Sequence, residues 1–358
     1  MSAILPRVVL LGGAALLSGC TTLSFYWQAF AGQMELTRLS RPLQEVMNDP
    51  GTGDDLKRRL AYAQDARDFA SRELGLPDNA SYRRYADLKR PFVVWNVFAA
   101  PELSLELRTQ CFPVAGCVVY RGYFAKAAAE QHASALRAEG LDVYVGGVPA
   151  YSTLGWFADP LLNTFIRYPD LEIARLIFHE LAHQVAYVRD DSSFNESFAV
   201  ALEEEGLRRW IAGRAGRVEQ ERYTAYKDRQ RSLMRIFAAA RRGLADAYAG
   251  SGDDGARRRE KTRILRALAD DYATLKAGWR LGEAELRAYD TWVLADLNNA
   301  KLGSIATYTR RVPQFRALLQ TCNGDLRCFY REVGALAALP QVERNGRLHQ
   351  LSPESQED

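Results

Sequence analysis

A chain of 358 residues, 47% hydrophobic and 25% charged, can bury a full core in one large or two small domains. Its formal net charge is only +3, with basic residues interleaved among acidic ones as on solvated helix faces, so no nucleic-acid partner is expected.

The start of the sequence reads as an export signal. Arg7 gives a positive start, residues 8–17 form an apolar run too short for a comfortable membrane span, and Leu17-Ser18-Gly19-Cys20 matches the lipobox at which bacterial lipoproteins are cleaved and acylated. Residues 1–19 are therefore expected to be removed as a signal peptide, leaving Cys20 as a lipid-bearing N-terminus. Thr21 stands where an aspartate would favour the inner membrane, which points to the periplasmic face of the outer membrane. The other cysteines form two close pairs, Cys111 with Cys117 and Cys322 with Cys328, which an oxidising compartment closes as local disulfides. The competing four-cysteine zinc site normally uses tighter spacing within each pair.

Helical patterning covers 34–47 and 56–74, the second closed by Gly75 and Pro77, giving an N-terminal helical region over 20–90. Segments rich in β-branched and aromatic residues read as strands at 92–98, 103–107 and 118–123. An Ala-rich helix at 125–139 ends at Gly140, and further strands are expected at 143–145 and 150–157.

From Leu171 to Arg189 neither Gly nor Pro interrupts, and apolar residues recur at three- and four-residue steps, so a helix is expected throughout. It carries His179-Glu180-Leu181-Ala182-His183. Residues four apart on a helix are offset by about 40° and about 6 Å, so both imidazoles face one point, suited to one metal ion. Glu180, roughly 100° around from His179, can touch a water at that point without ligating. Zinc accepts neutral imidazoles and in catalytic sites keeps a position open for water, the arrangement metal-assisted peptide hydrolysis uses. The chain has only 4 histidines, and two of them fall here; His132 and His349 read as a satisfied helix residue and a solvated tail residue.

A polar loop from Asp190 leads to a second, apolar helix with Glu196 in its first turn, the expected third ligand. Ser193 and Glu196 also fit a capping box, which would only satisfy the helix's own amides; against that, a carboxylate on so apolar a helix needs a strong partner. Glu203, seven residues on and on the same face, is the alternative ligand.

His179-Glu180-Leu181-Ala182-His183 followed by Phe194-Asn195-Glu196-Ser197-Phe198-Ala199 resembles the gluzincin metallopeptidases. Together with the lipoprotein start, the stretch from Cys111 to Cys117 and the segment 150–157, it is more closely similar to the predicted aminopeptidase family of Gram-negative bacteria, over most of the mature chain. The resemblance implies an α+β fold: a zincin-like metallopeptidase core over 91–210, with a small mixed or antiparallel sheet and an active-site helix, framed by N- and C-terminal helices. It implies zinc as cofactor, held by His179, His183 and Glu196, with Glu180 as general base. It also makes 150–157 the sheet edge along which a peptide substrate lies, with Tyr151, Ser152, Leu154 and Gly155 as binding residues. An oxyanion donor is expected, for which Tyr308 is the candidate, with ordinary packing as the alternative for that residue. The spacer to Glu196 is shorter than in thermolysin. Thermolysin-like enzymes also carry an aspartate four residues after the ligating glutamate to orient a histidine, where this chain has Val200.

Beyond Gly206, helical patterning at 218–249 and 257–279, across a Gly/Asp break at 250–255, gives a helical C-terminal region over 211–338, and 339–358 reads as a polar, disordered tail. The expected protein is a lipid-anchored zinc peptidase. The resemblance says aminopeptidase, whereas the residues offer no motif for a free α-amine beyond the unranked Glu203, Glu204 and Asp159. An envelope endopeptidase acting on proteins or peptidoglycan peptides and a non-catalytic lipoprotein that binds a partner are the alternatives.

Overall fold

The computed structural model describes residues 27–112, 116–150, 152–214 and 217–351; the expected signal segment, Cys20 and Tyr151 lie outside these. In chain order the elements are α1 (27–39), β1 (Arg41–Pro42), α2 (Leu43–Asn48), α3 (Asp54–Arg72), β2 (Arg84–Ala86), β3 (Val94–Pro101), β4 (Gln110–Phe112), β5 (Gly116–Val118), β6 (Arg121–Tyr123), α4 (Lys126–Ala138), β7 (Leu141–Val148) and β8 (Leu161–Leu162). Then come α5 (Asp170–Ala182), α6 (Ser192–Arg214), α7 (Arg217–Ala249), α8 (Asp254–Ala277), α9 (Glu283–Leu294), α10 (Asn299–Thr309), α11 (Val312–Thr321), α12 (Leu326–Ala337) and α13 (Gln341–Leu351). The fold is α+β, mostly helical with small sheets.

Strand β3 lies between β6 and β7 in an antiparallel sheet, with Val97 opposite Arg121 on one side and Val145 on the other. From Val94 to Ala100 every residue of β3 is buried because helices cover both faces. Ala129, Ala133 and Leu136 of α4 pack with Trp95, Val97 and Ala99, while Ala300 of α10 packs with Phe98 and Ala100 on the other face. A strand buried on both sides reads as a continuous apolar run rather than an alternating one. A second small sheet pairs β1 with β2 antiparallel and β2 with β8 parallel. The hairpin β4–β5 is cross-linked by Cys111–Cys117, and Cys322–Cys328 joins the end of α11 to α12.

The main core is helical. Phe69 of α3 and Phe178 of α5 meet Trp210 of α6 at ring-centroid distances of 5.0 and 6.3 Å, and Phe194 and Phe198 of α6 meet Phe315 of α11 at 5.1 and 5.8 Å. Burying a ring such as Phe178 contributes about 2–3 kcal/mol. Gly206 lets α6 approach this closely, since a Cβ there would fall 2.8 Å from both Leu74 and Phe178. Helices α7, α8 and α9 form a second core around Leu233, Phe237, Leu268 and Val293, tied to the larger sheet by Lys261 to Asp142 at 2.7 Å.

Several expected elements differ. The helix anticipated at 34–47 is split at Ser40, because Pro42 has no N–H to donate to a helix and residues 41–42 pair with β2 instead. Residues 103–107 form no strand: Leu107 is spent on α10, where Gly303 leaves room for it, and Leu105 packs against the second core. The described part of 150–157 is a turn. The expected disordered tail is helical over Gln341–Leu351, held by Leu348 at 2% exposure and by Arg344, which bonds Asp191.

Candidate active site

Helix α5 follows Pro169, has Asp170 and Glu172 in its first turn, and buries Ile173, Ile177, Phe178 and Leu181. His179 and His183 share one side of its end, with Nε2 atoms 3.3 Å apart and rings 4.9 Å between centroids. The helix stops at Ala182, not near Arg189, although no Gly or Pro stands there. At its end the backbone tightens into turns, with Gln184 N donating to Leu181 O at 3.1 Å and Val185 N to Ala182 O at 2.9 Å. The Asn195 amide from the next helix takes both the N–H and the carbonyl of Val188, at 2.7 and 2.8 Å, and holds the connection as a loop.

That loop returns the chain to the two imidazoles. Asp191 accepts from Phe194 N at 3.0 Å and so caps α6. Ser193 Oγ, in contrast, is buried without a hydrogen-bond partner, so the capping box with Glu196 is not made. Glu196 Oε2 lies 3.3 Å from His179 Nε2 and 3.7 Å from His183 Nε2.

These three donors suit one cation. Ligand atoms about 2.0–2.2 Å from a tetrahedral ion stand roughly 3.3–3.6 Å from one another. The observed separations of 3.3, 3.3 and 3.7 Å match that spacing, and His179, His183 and Glu196 form a group that could hold a metal ion. The second nitrogen of His179 is already engaged, with Nδ1 2.9 Å from Glu203 Oε2. Glu203 in turn takes Arg175 Nη1 at 2.9 Å, and Arg175 Nε donates to Glu172 at 2.8 Å. Glu203 is thus turned to the back of the ring and is not part of the group. A carboxylate behind a ligating histidine fixes its ring and raises its basicity. His183 Nδ1 has no such support; it is buried without a partner.

The electrostatics of the cluster call for positive charge. Burial disfavours the charged form of His179, but hydrogen bonds donated by its ring to Glu196 and Glu203 outweigh it and carry its pKa up to about 10. His183 goes the other way, to about 4, chiefly because it is buried. Glu196 is held below the usual carboxylate range: burial pushes it up, and the two imidazoles more than reverse this. Glu180 is pushed up to about 7 by burial, with the charge of His179 opposing and those of Glu196 and Asp159 adding.

The other expected residues take varied places. Tyr308, on α10, is close enough to feel the charge of Glu196, which together with burial holds its phenol well above the ordinary value. Ser152 Oγ lies 3.5 Å from the carbonyl of Glu180 and accepts from Leu154 N at 3.1 Å. Leu154 and Gly155 are both left-handed, at φ 57° and 82°, so this stretch offers a tight turn in place of a strand edge. Asp159, 1% exposed, orders the turn by accepting from Thr153 N at 2.9 Å and Thr153 Oγ1 at 2.8 Å. Trp156 and Phe157, in the same stretch, are 84% and 49% exposed.

Of the candidates for a substrate amine, Glu203 is committed to Arg175 and His179, Glu204 to Lys227 and Arg316, and Asp159 to Thr153. Arg175 and Tyr82 are additions. Arg175 sits four residues before His179 on the same helix, a spacing visible in the sequence. Tyr82 is 1% exposed, and burial, followed by the charges of Glu180 and Asp159, raises its phenol well above its usual value.

A family model described as putative aminopeptidase matches residues 24–348, so the chain belongs to that family. No curated protein and no solved structure matches it significantly.

Proposed function

We propose that this member of the putative aminopeptidase family is a zinc-dependent peptidase with a zincin-like core, tethered by lipid on Cys20 to the periplasmic face of the outer membrane. The observation that carries the reading is the convergence of His179 Nε2, His183 Nε2 and Glu196 Oε2 at ligand spacing beside Glu180. Zinc held there supplies Lewis-acid polarisation of the scissile carbonyl and makes a water easier to deprotonate. Glu180, one residue from a ligand and half-buried, takes the proton of the attacking water and returns it to the departing amine. Tyr308 remains protonated and donates to the oxygen that gains charge as the carbonyl becomes tetrahedral. Glu203 and Arg175 hold the His179 ring.

One observation favours endopeptidase action as a second reading. Glu203, Glu204 and Asp159, the candidate acids for a substrate's α-ammonium, are each engaged within the chain. A peptide library offered with free and with acetylated N-termini separates the two, using Glu180→Gln as control. Aminopeptidase action requires the free amine, endopeptidase action is indifferent to it, and Glu180→Gln should lose turnover on both. Turnover retained by a folded Glu180→Gln protein would remove the proposed base.

A further inference from the structure

Helix α1 is fastened to the body along one side only. On that side Leu36 is 1% exposed, and Gly32 lies so close to Phe124 that a Cβ would fall 2.2 Å from the ring. The Gln28 side chain accepts from Phe124 N at 3.1 Å and donates to Gly122 O at 3.3 Å, and Glu35 pairs with Arg90 at 2.8 Å. These contacts fix the rotation of the helix about its axis.

The outward side carries Trp27, Phe30 and Met34. Their three- and four-residue steps place them on one face, where they are 69%, 57% and 44% exposed, with the Trp27 and Phe30 rings 6.1 Å apart. Arg38, also exposed, continues the same row. A contiguous exposed apolar face on a soluble body marks an interaction surface.

We propose that this face of α1 lies in the headgroup region of a phospholipid bilayer, a second membrane contact that sets how the catalytic body stands on the membrane. The choice of a lipid surface as occupant rests on the lipid-anchor reading above. Six residues, 21–26, separate Cys20 from Trp27, so even a fully extended link keeps the stripe within about 25 Å of an acylated N-terminus. Trp at the interface, Phe and Met toward the acyl chains, and a basic residue on the flank form the side-chain set of helices that lie in the bilayer plane.

The test places the lipidated mature protein on phosphatidylethanolamine/phosphatidylglycerol vesicles with and without brominated acyl chains. Tryptophan fluorescence should be quenched in the wild type. The quenching should be lost in Trp27→Phe, which keeps the stripe but removes the reporter, and should fall by at least about half in Phe30→Ser/Met34→Ser, which keeps the reporter. In parallel, the mature chain lacking lipid should partition onto these vesicles roughly tenfold or more better than its Trp27→Ser/Phe30→Ser/Met34→Ser variant, with circular dichroism confirming that both are folded. Equal quenching in all the lipidated proteins, or equal partition, overturns the proposal. So does a wild-type dimer in solution that the triple variant dissolves, which puts a second copy on the stripe. The mass of the N-terminal peptide tests the anchor separately. Stripe-dependent binding without lipid on Cys20 sinks the anchor and supports the stripe; lipid on Cys20 with Trp27 unquenched does the reverse.

Discussion

Glu203 Oε2 lies 2.9 Å from His179 Nδ1, on the side of the ring facing away from Glu196. It also takes Arg175, at 2.9 Å, so a half-buried cation and a carboxylate are linked in turn to the imidazole behind the candidate metal site. Replacing Glu203 with Gln keeps an acceptor for Nδ1 and removes the charge. Metal affinity, measured by chelator competition, should fall about tenfold, and Glu203→Ala should approach a hundredfold. An unchanged affinity in both variants would show that His179 needs no support.

The legible part of this site is the part carried by one helix. His179 and His183 are one turn apart, so any helix through them brings the rings together, and Glu196 on the next apolar helix had few other uses. The partner of His179 was harder: the seven-residue step from Glu196 to Glu203 put both on one face, but the step alone does not say which nitrogen of the ring each meets. The end of α5 was hidden because the loop after it is held by Asn195, a residue of the following helix, which binds Val188. The segment 150–157 misled through its aromatic content. Its conformation is set by left-handed Leu154 and Gly155 and by buried Asp159, none of which periodicity reveals. In the same way the polar composition beyond residue 339 concealed Arg344, whose burial depends on a residue 153 positions away.

That distant residue, Asp191, joins three helices. It caps α6 through Phe194 N and pairs with Arg311 of the α10–α11 link at 3.0 Å and with Arg344 of α13 at 2.9 Å, at 4% exposure. Asp191→Ala leaves buried guanidinium charge unpaired and should destabilise the protein by roughly 3–5 kcal/mol in urea unfolding. Arg344→Met removes the cation along with part of the need for its partner, and should cost clearly less.

Asp159 gives a pH dependence of stability. Burial carries its carboxyl up to about 6, although the Thr153 amide and hydroxyl pull in the other direction. A carboxyl whose folded pKa lies above its unfolded value of 3.8 favours folding when protonated. Its contribution is full below that value and is lost as pH rises through about 6. Asp159→Asn, which does not ionise, should therefore gain stability relative to the wild type between pH 4 and pH 8, by about 3 kcal/mol across that window. Parallel stability curves for the two proteins would contradict this.

Tyr308 separates an oxyanion donor from a packing residue. Its phenol is held protonated by the charge of Glu196 and by burial, so Tyr308→Phe removes a donor and little else. As a donor, its loss should lower kcat by about a hundredfold or more with KM and metal content preserved. As packing alone, it should leave kcat within a few-fold.

The most direct measurement is the zinc content of the purified protein by mass spectrometry, for the wild type and for Glu196→Ala, after each has been offered zinc and dialysed. His179, His183 and Glu196 acting as one site predict about one equivalent in the wild type and a large loss in Glu196→Ala with the fold retained. A folded wild type that retains no zinc, or a Glu196→Ala variant that holds it as tightly, would contradict the account.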